Sequence, residues 1–169
     1  FVLDKKSHLN RAFILMCSAV AFKSFFAMMV YNSTIASECL YWHKIADIGW
    51  TLFPAAALTF FMTLTDFRPL MPNRLFVLYV YSPWIIFICK SFSGAIDSMV
   101  SFKPSAYFGF HTFNNSSPNA IDLYFVVYSS ICIYLLFKWT KTNRSNRTRK
   151  QSAVLLTATA ATLAAGIIT

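Results

Sequence analysis

The chain has 169 residues, of which 57% are apolar, 18% aromatic and only 12% charged, and its mean hydropathy is +0.53. A soluble domain carries about 25% charged residues, so this composition excludes an ordinary water-soluble domain and indicates a single membrane domain. The formal net charge of +9 does not indicate a nucleic-acid partner, because the basic residues lie between apolar runs and not along one polar face.

Five segments are long and apolar enough to cross about 30 Å of hydrocarbon as helices. They are residues 9–31, 44–65, 74–93, 121–139 and 151–169. The sequence therefore predicts an all-α, polytopic membrane helix bundle that forms one domain over residues 1–169, with a longer loop at 94–120. Residues 1–3 resemble the end of an earlier span, so we expect the five segments to be spans two to six of seven.

Lysine and arginine residues are distributed unevenly between the two ends of these spans. Eleven lie on one side, in or next to the segment before the first span and the second and fourth loops, and two lie on the other side, in or next to the first and third loops: Lys5, Lys6, Arg11, Arg68, Arg74, Lys138, Lys141, Arg144, Arg147, Arg149 and Lys150, against Lys44 and Lys103. Because basic loops remain in the cytoplasm, loop 94–120 is expected to be external. The pattern predicts a multi-pass protein of the cell inner membrane, with a cytoplasmic loop between the last two spans.

The second predicted span carries polar and helix-disturbing residues that a lipid-facing helix would lack. His43, Asp47, Trp50 and Pro54 occur at i, i+4, i+7 and i+11, so they share one face of a helix. Pro54 has no N–H, which leaves the Trp50 carbonyl without its helical partner, and we expect a bend or a bound hydroxyl there. We expect this face to form the wall of a pocket inside the bundle.

Three ionisable side chains lie inside predicted spans, namely Lys23, Asp47 and Lys90. A charge at bilayer depth costs a few kcal/mol unless it is paired or faces water, so each is a candidate ligand contact. The flexible stem of Lys23 allows it to reach Asp47 on the neighbouring span. The alternatives are that this ion pair only fastens two helices together, and that Lys90 extends to the membrane surface.

Aromatic residues are concentrated in the outer half of the predicted bundle, where many of them are explained as an interfacial belt. Residues 106–113 alternate in a pattern that fits a short strand, with a turn at 114–118, and this stretch is predicted to be either a lid over the pocket or a plain surface loop. The predicted ligand-binding set is Lys23, His43, Asp47, Trp50, Pro54, Trp84, Lys90, His111, Tyr124 and Tyr128.

Catalytic and metal-binding patterns are weak in this sequence. His43 and Asp47, with Glu38 and His111 from the loops, would give a mixed nitrogen and oxygen ligand set, but the chain has no His-x-x-x-His or His-Glu-x-x-His motif. It also has no Gly-x-Ser-x-Gly motif, no Cys-x-x-Cys motif and no glycine-rich phosphate loop. We therefore predict no catalytic residue, no metal and no cofactor within these residues.

Several short motifs lie in a characteristic order along the spans. Asn10-Arg11-Ala12-Phe13 opens the first span, and Trp42, Ile48-Gly49-Trp50 and Phe53-Pro54 precede Leu58-Thr59-Phe60-Phe61-Met62-Thr63-Leu64-Thr65. Ser82-Pro83-Trp84 lies in the third span, and Arg149-Lys150-Gln151 leads into a helix of small residues. In this arrangement nearly the whole chain resembles the seven-transmembrane N-terminal sensor region of bacterial and archaeal histidine kinases.

The resemblance implies a sensor that detects a small molecule or the lipid bilayer in its outer half and passes a helix movement to a cytoplasmic kinase. The kinase modules would form a homodimer, use ATP and Mg²⁺, and phosphorylate a response regulator; all of these modules lie outside the chain. The same kind of region also precedes diguanylate cyclases. Two further hypotheses are a transporter or channel fragment, favoured by Lys23, Asp47 and a broken second helix, and an intramembrane metallohydrolase.

Overall fold

The computed structural model describes residues 8–67, 73–93, 100–104, 110–114 and 120–142. Within these ranges it contains α1 (His8–Asn32), α2 (Ala36–Leu64), α3 (Asn73–Phe92), β1 (Val100–Pro104), β2 (Phe110–Asn114) and α4 (Ala120–Thr142). The four helices are each long and apolar enough to cross a membrane, so the predicted helical membrane bundle is confirmed. The fifth predicted span, residues 151–169, lies outside the described residues, and the count of five spans, as spans two to six of seven, is therefore not supported.

Successive helices run in opposite directions. Phe26 of α1 stacks on Trp42 near the start of α2, whereas Phe13 meets Phe60 nearer its end. Where α2 ends, the Lys138 ammonium group near the end of α4 lies over the ring of Phe67, so α4 runs in the same direction as α2. We call the end where α1 finishes and α2 begins the hairpin end, because the β-hairpin joins α3 to α4 there, and the opposite end the basic end.

Helix α2 lies at the centre of the bundle and packs against α1, α3 and α4. It also supplies more of the buried side chains than any other described helix, among them Ala55, Leu58, Phe61 and Met62. In lipid, close van der Waals packing and interhelical hydrogen bonds replace the hydrophobic effect as the main force between helices. The polar residues that the sequence placed on α2 are therefore surrounded by other helices.

Helix α2 begins eight residues earlier than the predicted span, at Ala36, because hydropathy does not detect the first turns, which carry polar side chains. Glu38 lies in the first turn, where a negative charge is favoured by the helix dipole, and the Trp42 indole N–H lies 3.5 Å from its carboxylate. At the other end, Asp66 has a φ of 50°. This left-handed conformation is typical of a residue that terminates a helix.

The β-hairpin differs in detail from the predicted lid. Its antiparallel register runs from Val100 opposite Asn114 to Pro104 opposite Phe110, and β2 lies against α1. Of the predicted strand at residues 106–113, residues 110–113 lie in β2, and its partner β1 comes before it in the chain. The remainder of that strand and most of the predicted turn at 114–118 lie outside the described residues.

Candidate polar site in the helix bundle

Two ionisable side chains of α2 lie one helical turn apart inside the bundle. His43 Nε2 and Asp47 Oδ2 are 3.8 Å apart, and the two side chains are only 20% and 17% exposed. The Lys23 ammonium group of α1 interacts electrostatically with both of them. Ser91, a buried residue of α3, has its hydroxyl near the Asp47 carboxylate. We call Lys23, His43, Asp47 and Ser91 the polar cluster.

The polar cluster exists because α1 and α2 approach each other very closely. A β-carbon built on Gly49 would lie 2.9 Å from the backbone nitrogen of Lys23, so no side chain separates the two helices here. Ala19 and Ala46 are both buried near this crossing, and small residues of this kind allow helix backbones to come together in membranes. The stem of Lys23 therefore begins beside the turn of α2 that carries Asp47.

Trp50 lies at the edge of the polar cluster and connects it to a fourth helix, α4. The Lys23 Nζ atom is 5.7 Å from the centre of the Trp50 ring, within the range of a cation–π interaction. The indole also stacks on Phe125 of α4, with ring centres 4.6 Å apart. Because Trp50 remains 41% exposed, it offers an aromatic surface next to the buried charges.

The turn of α2 at residues 47–51 receives hydrogen bonds from two other helices. The Trp84 indole N–H of α3 donates to the Ile48 carbonyl at 3.2 Å, and the Tyr124 hydroxyl of α4 donates to the Thr51 carbonyl at 3.1 Å. The Thr51 hydroxyl donates to the Asp47 carbonyl at 2.6 Å. The backbone that carries the Asp47 carboxylate is therefore fixed by donors from both α3 and α4.

A hydroxyl group donates a hydrogen bond to α2 in the turn before Pro54, although the acceptor carbonyl is not the predicted one. The sequence analysis expected the Trp50 carbonyl to be the acceptor, since Pro54 removes its helical partner. The Tyr124 hydroxyl instead bonds the carbonyl of the next residue, Thr51, and lies within reach of the Ala55 N–H that would normally serve that carbonyl. A proline opens the whole preceding turn, so the neighbouring carbonyl also becomes accessible.

The structure brings four of the ten predicted site residues together: Lys23, His43, Asp47 and Trp50. Pro54, Tyr124 and Tyr128 are buried, and Trp84 is partly buried with its N–H given to a carbonyl. Lys90 is exposed in the last turn of α3, next to Ser91. His111 lies in β2 opposite Lys103 in register. A ligand-binding role for each of the ten stays a prediction.

Sequence reasoning missed three residues that shape this site. In the sequence Ser91 resembled an ordinary polar residue at a helix end, although its position beside Lys90 near the end of a predicted span could have marked it. Gly49 lay within the polar segment and was not recognised as a helix contact. No feature of the sequence marked Phe125 as part of the site, because its stacking on Trp50 depends on how α4 packs.

A cavity lined by described residues lies away from the polar cluster. Its volume is about 210 Å³, and it lies between α2 and α3 towards the basic end, lined by Thr59, Met62, Thr63, Asp66, Phe67, Phe76 and Val77. A pocket beside Asp47 therefore stays a prediction. Among the residues that the structure describes, no group of three or more metal-binding side chains occurs, and the four cysteines are free thiols.

A family model described as the N-terminal 7TM region of histidine kinase matches residues 1–169. No curated protein and no solved structure matches the chain.

Proposed function

The chain belongs to the family of N-terminal 7TM regions of histidine kinases, and from this membership we propose that it senses a signal within the membrane and relays it to a cytoplasmic kinase. The signal acts at the polar cluster, as a small molecule or as a change in the bilayer. It alters how α1 packs on α2, and the altered packing is transmitted along the bundle to the kinase.

The observation that supports this proposal is the meeting of three ionisable groups and a hydroxyl from three different helices. A simple fastening of α1 to α2 needs two opposite charges, whereas the cluster also holds His43 and the Ser91 hydroxyl. Buried charges are expensive in a bilayer, and their retention favours a functional role. Any ligand that changes the charge near Asp47 changes the attraction between α1 and α2.

The orientation that we propose follows from the basic residues. The basic end faces the cytoplasm, so the hairpin end and the first half of α2, which carries His43 and Asp47, face outward in the cell inner membrane. A ligand from outside thus reaches the cluster without crossing the bilayer. We propose that the kinase domains, with ATP and Mg²⁺, form a homodimer and phosphorylate a response regulator.

The transporter hypothesis loses one of its three supports, the broken second helix, because α2 is one continuous helix through Pro54. A diguanylate cyclase output would use the same sensing mechanism with another cytoplasmic module. The family match favours the kinase.

The test is autophosphorylation of the full-length protein in lipid nanodiscs, with Asp47→Asn compared with wild type. We expect the variant to insert normally and to shift the basal rate at least threefold, because Lys23 loses its anionic partner. Asp122→Asn, the same chemical change in the exposed first turn of α4, is the matched control and should leave the rate unchanged. Equal rates for Asp47→Asn and wild type over pH 5–8 and in thin and thick bilayers would reduce Asp47 to a packing residue.

A further inference from the structure

Two tyrosines of α4, one helical turn apart, donate hydrogen bonds to two different helices. The Tyr124 hydroxyl bonds the Thr51 carbonyl of α2 at 3.1 Å, and the Tyr128 hydroxyl bonds the Val80 carbonyl of α3 at 2.9 Å. The two side chains are only 6% and 8% exposed. Both acceptors are backbone carbonyls inside helices, which normally bond their own helix.

Both acceptors have the same position relative to a proline. Thr51 lies three residues before Pro54, and Val80 lies three residues before Pro83. A proline inside a helix removes one N–H and pushes its ring against the preceding turn, which frees carbonyls for donors from outside. In α3, the Tyr79 carbonyl that Pro83 deprives of its partner is bonded by the Ser82 hydroxyl at 2.9 Å.

The two tyrosine hydrogen bonds are coupled, because the tyrosine rings are in contact. The Tyr124 and Tyr128 rings contact each other edge to face, with centres 4.5 Å apart, and Phe87 of α3 packs against Tyr124 at 5.5 Å. A shift of α4 that breaks one bond thus moves the donor of the other. This arrangement differs from that of α1, which meets the other helices mainly along α2.

We propose that Tyr124 and Tyr128 act as positioning residues that lock the proline turns of α2 and α3 to α4, so that these three helices move as one body. The meaning of this lock for signalling rests on the proposed sensor function. The lock itself is a mechanical property of the bundle and is testable without a kinase assay.

The test is hydrogen–deuterium exchange of the full-length protein in lipid nanodiscs. Tyr128→Phe removes only the hydroxyl that bonds α3, yet we expect faster exchange in α2 at residues 51–57 as well as in α3 at 80–86, by about three- to tenfold, the effect of losing one buried hydrogen bond. Tyr134→Phe, which removes a hydroxyl from a 61% exposed tyrosine of the same helix, is the matched control and should change neither segment. Faster exchange in α3 alone would overturn the proposal.

A second comparison tests the part played by the prolines. Pro54→Ala restores the missing N–H, so in this background Tyr124→Phe should change exchange in α2 less than half as much as it does with Pro54 present. An equal change in both backgrounds would overturn the proposal. If Tyr128→Phe does not insert, the reciprocal variant Tyr124→Phe must accelerate exchange in α3, and acceleration confined to α2 contradicts the lock. Because none of these readouts uses phosphorylation, their failure leaves the sensor proposal intact.

Discussion

Gly49 lies so close to Ala19 that a β-carbon at residue 49 would be 2.6 Å from the Ala19 carbonyl oxygen. Real β-carbons do not approach a backbone oxygen to this distance, so any side chain at this position forces α1 and α2 apart. The same displacement would move Lys23 away from Asp47, since both lie within one turn of this crossing. Packing and electrostatics of the polar cluster therefore depend on one glycine.

The first prediction is that Gly49→Val destabilises the bundle by about 1–3 kcal/mol, the usual cost of inserting bulk into a packed site. Thermal unfolding in detergent, followed by tryptophan fluorescence, measures the loss. Ala21→Val adds bulk to an exposed position of α1 and should have little effect. Equal unfolding temperatures for the two variants would contradict the close contact.

The second prediction concerns the charges of Lys23 and Asp47. Lys23→Met and Asp47→Asn should each destabilise the protein, because each leaves an uncompensated charge inside the bundle, whereas the double variant should recover part of the loss. We expect an interaction free energy of about 1–3 kcal/mol from the double-mutant cycle. It is measured by unfolding in a series of sodium dodecyl sulfate concentrations, and strictly additive effects would show that the two groups do not interact.

The third prediction places the exposed face of Trp50 in a water-accessible cleft, as the sensor proposal requires. In a variant whose other three tryptophans are replaced by phenylalanine, the fluorescence of Trp50 in nanodiscs should be quenched by acrylamide. The corresponding variant that retains only Trp84, which is partly buried with its N–H bonded to Ile48, should be quenched less. Quenching of Trp50 by brominated lipid and not by acrylamide would place it against lipid and remove the cleft.

The fourth prediction tests the orientation in the membrane. In a variant without the four native cysteines, Ser117→Cys in loop 94–120 should react with a membrane-impermeant maleimide added to intact spheroplasts. Ser145→Cys, in the basic segment after α4, should react only after the cells are opened. The reverse pattern of labelling would invert the bundle and place the polar cluster near the cytoplasm.

The sequence predicts the four described helices well, because a bilayer demands long apolar helices whatever their neighbours are. It also predicts that Lys23, His43, Asp47 and Trp50 lie close together. Helical spacing places three of the four on one face of α2, and a charged residue inside an apolar run, such as Lys23, needs a partner. It does not predict that Tyr124 donates to Thr51, because residues 73 positions apart meet only through tertiary packing. Nor does it predict that β2 pairs with β1, since short alternating segments allow several registers of similar quality.

Helix α2 is in contact with the three other helices along its length. An element enclosed in this way is poorly suited to tilt, since any tilt would break contacts on one side and create clashes on another. When a signal crosses the membrane, we therefore expect α2 to keep its place relative to α3 and α4.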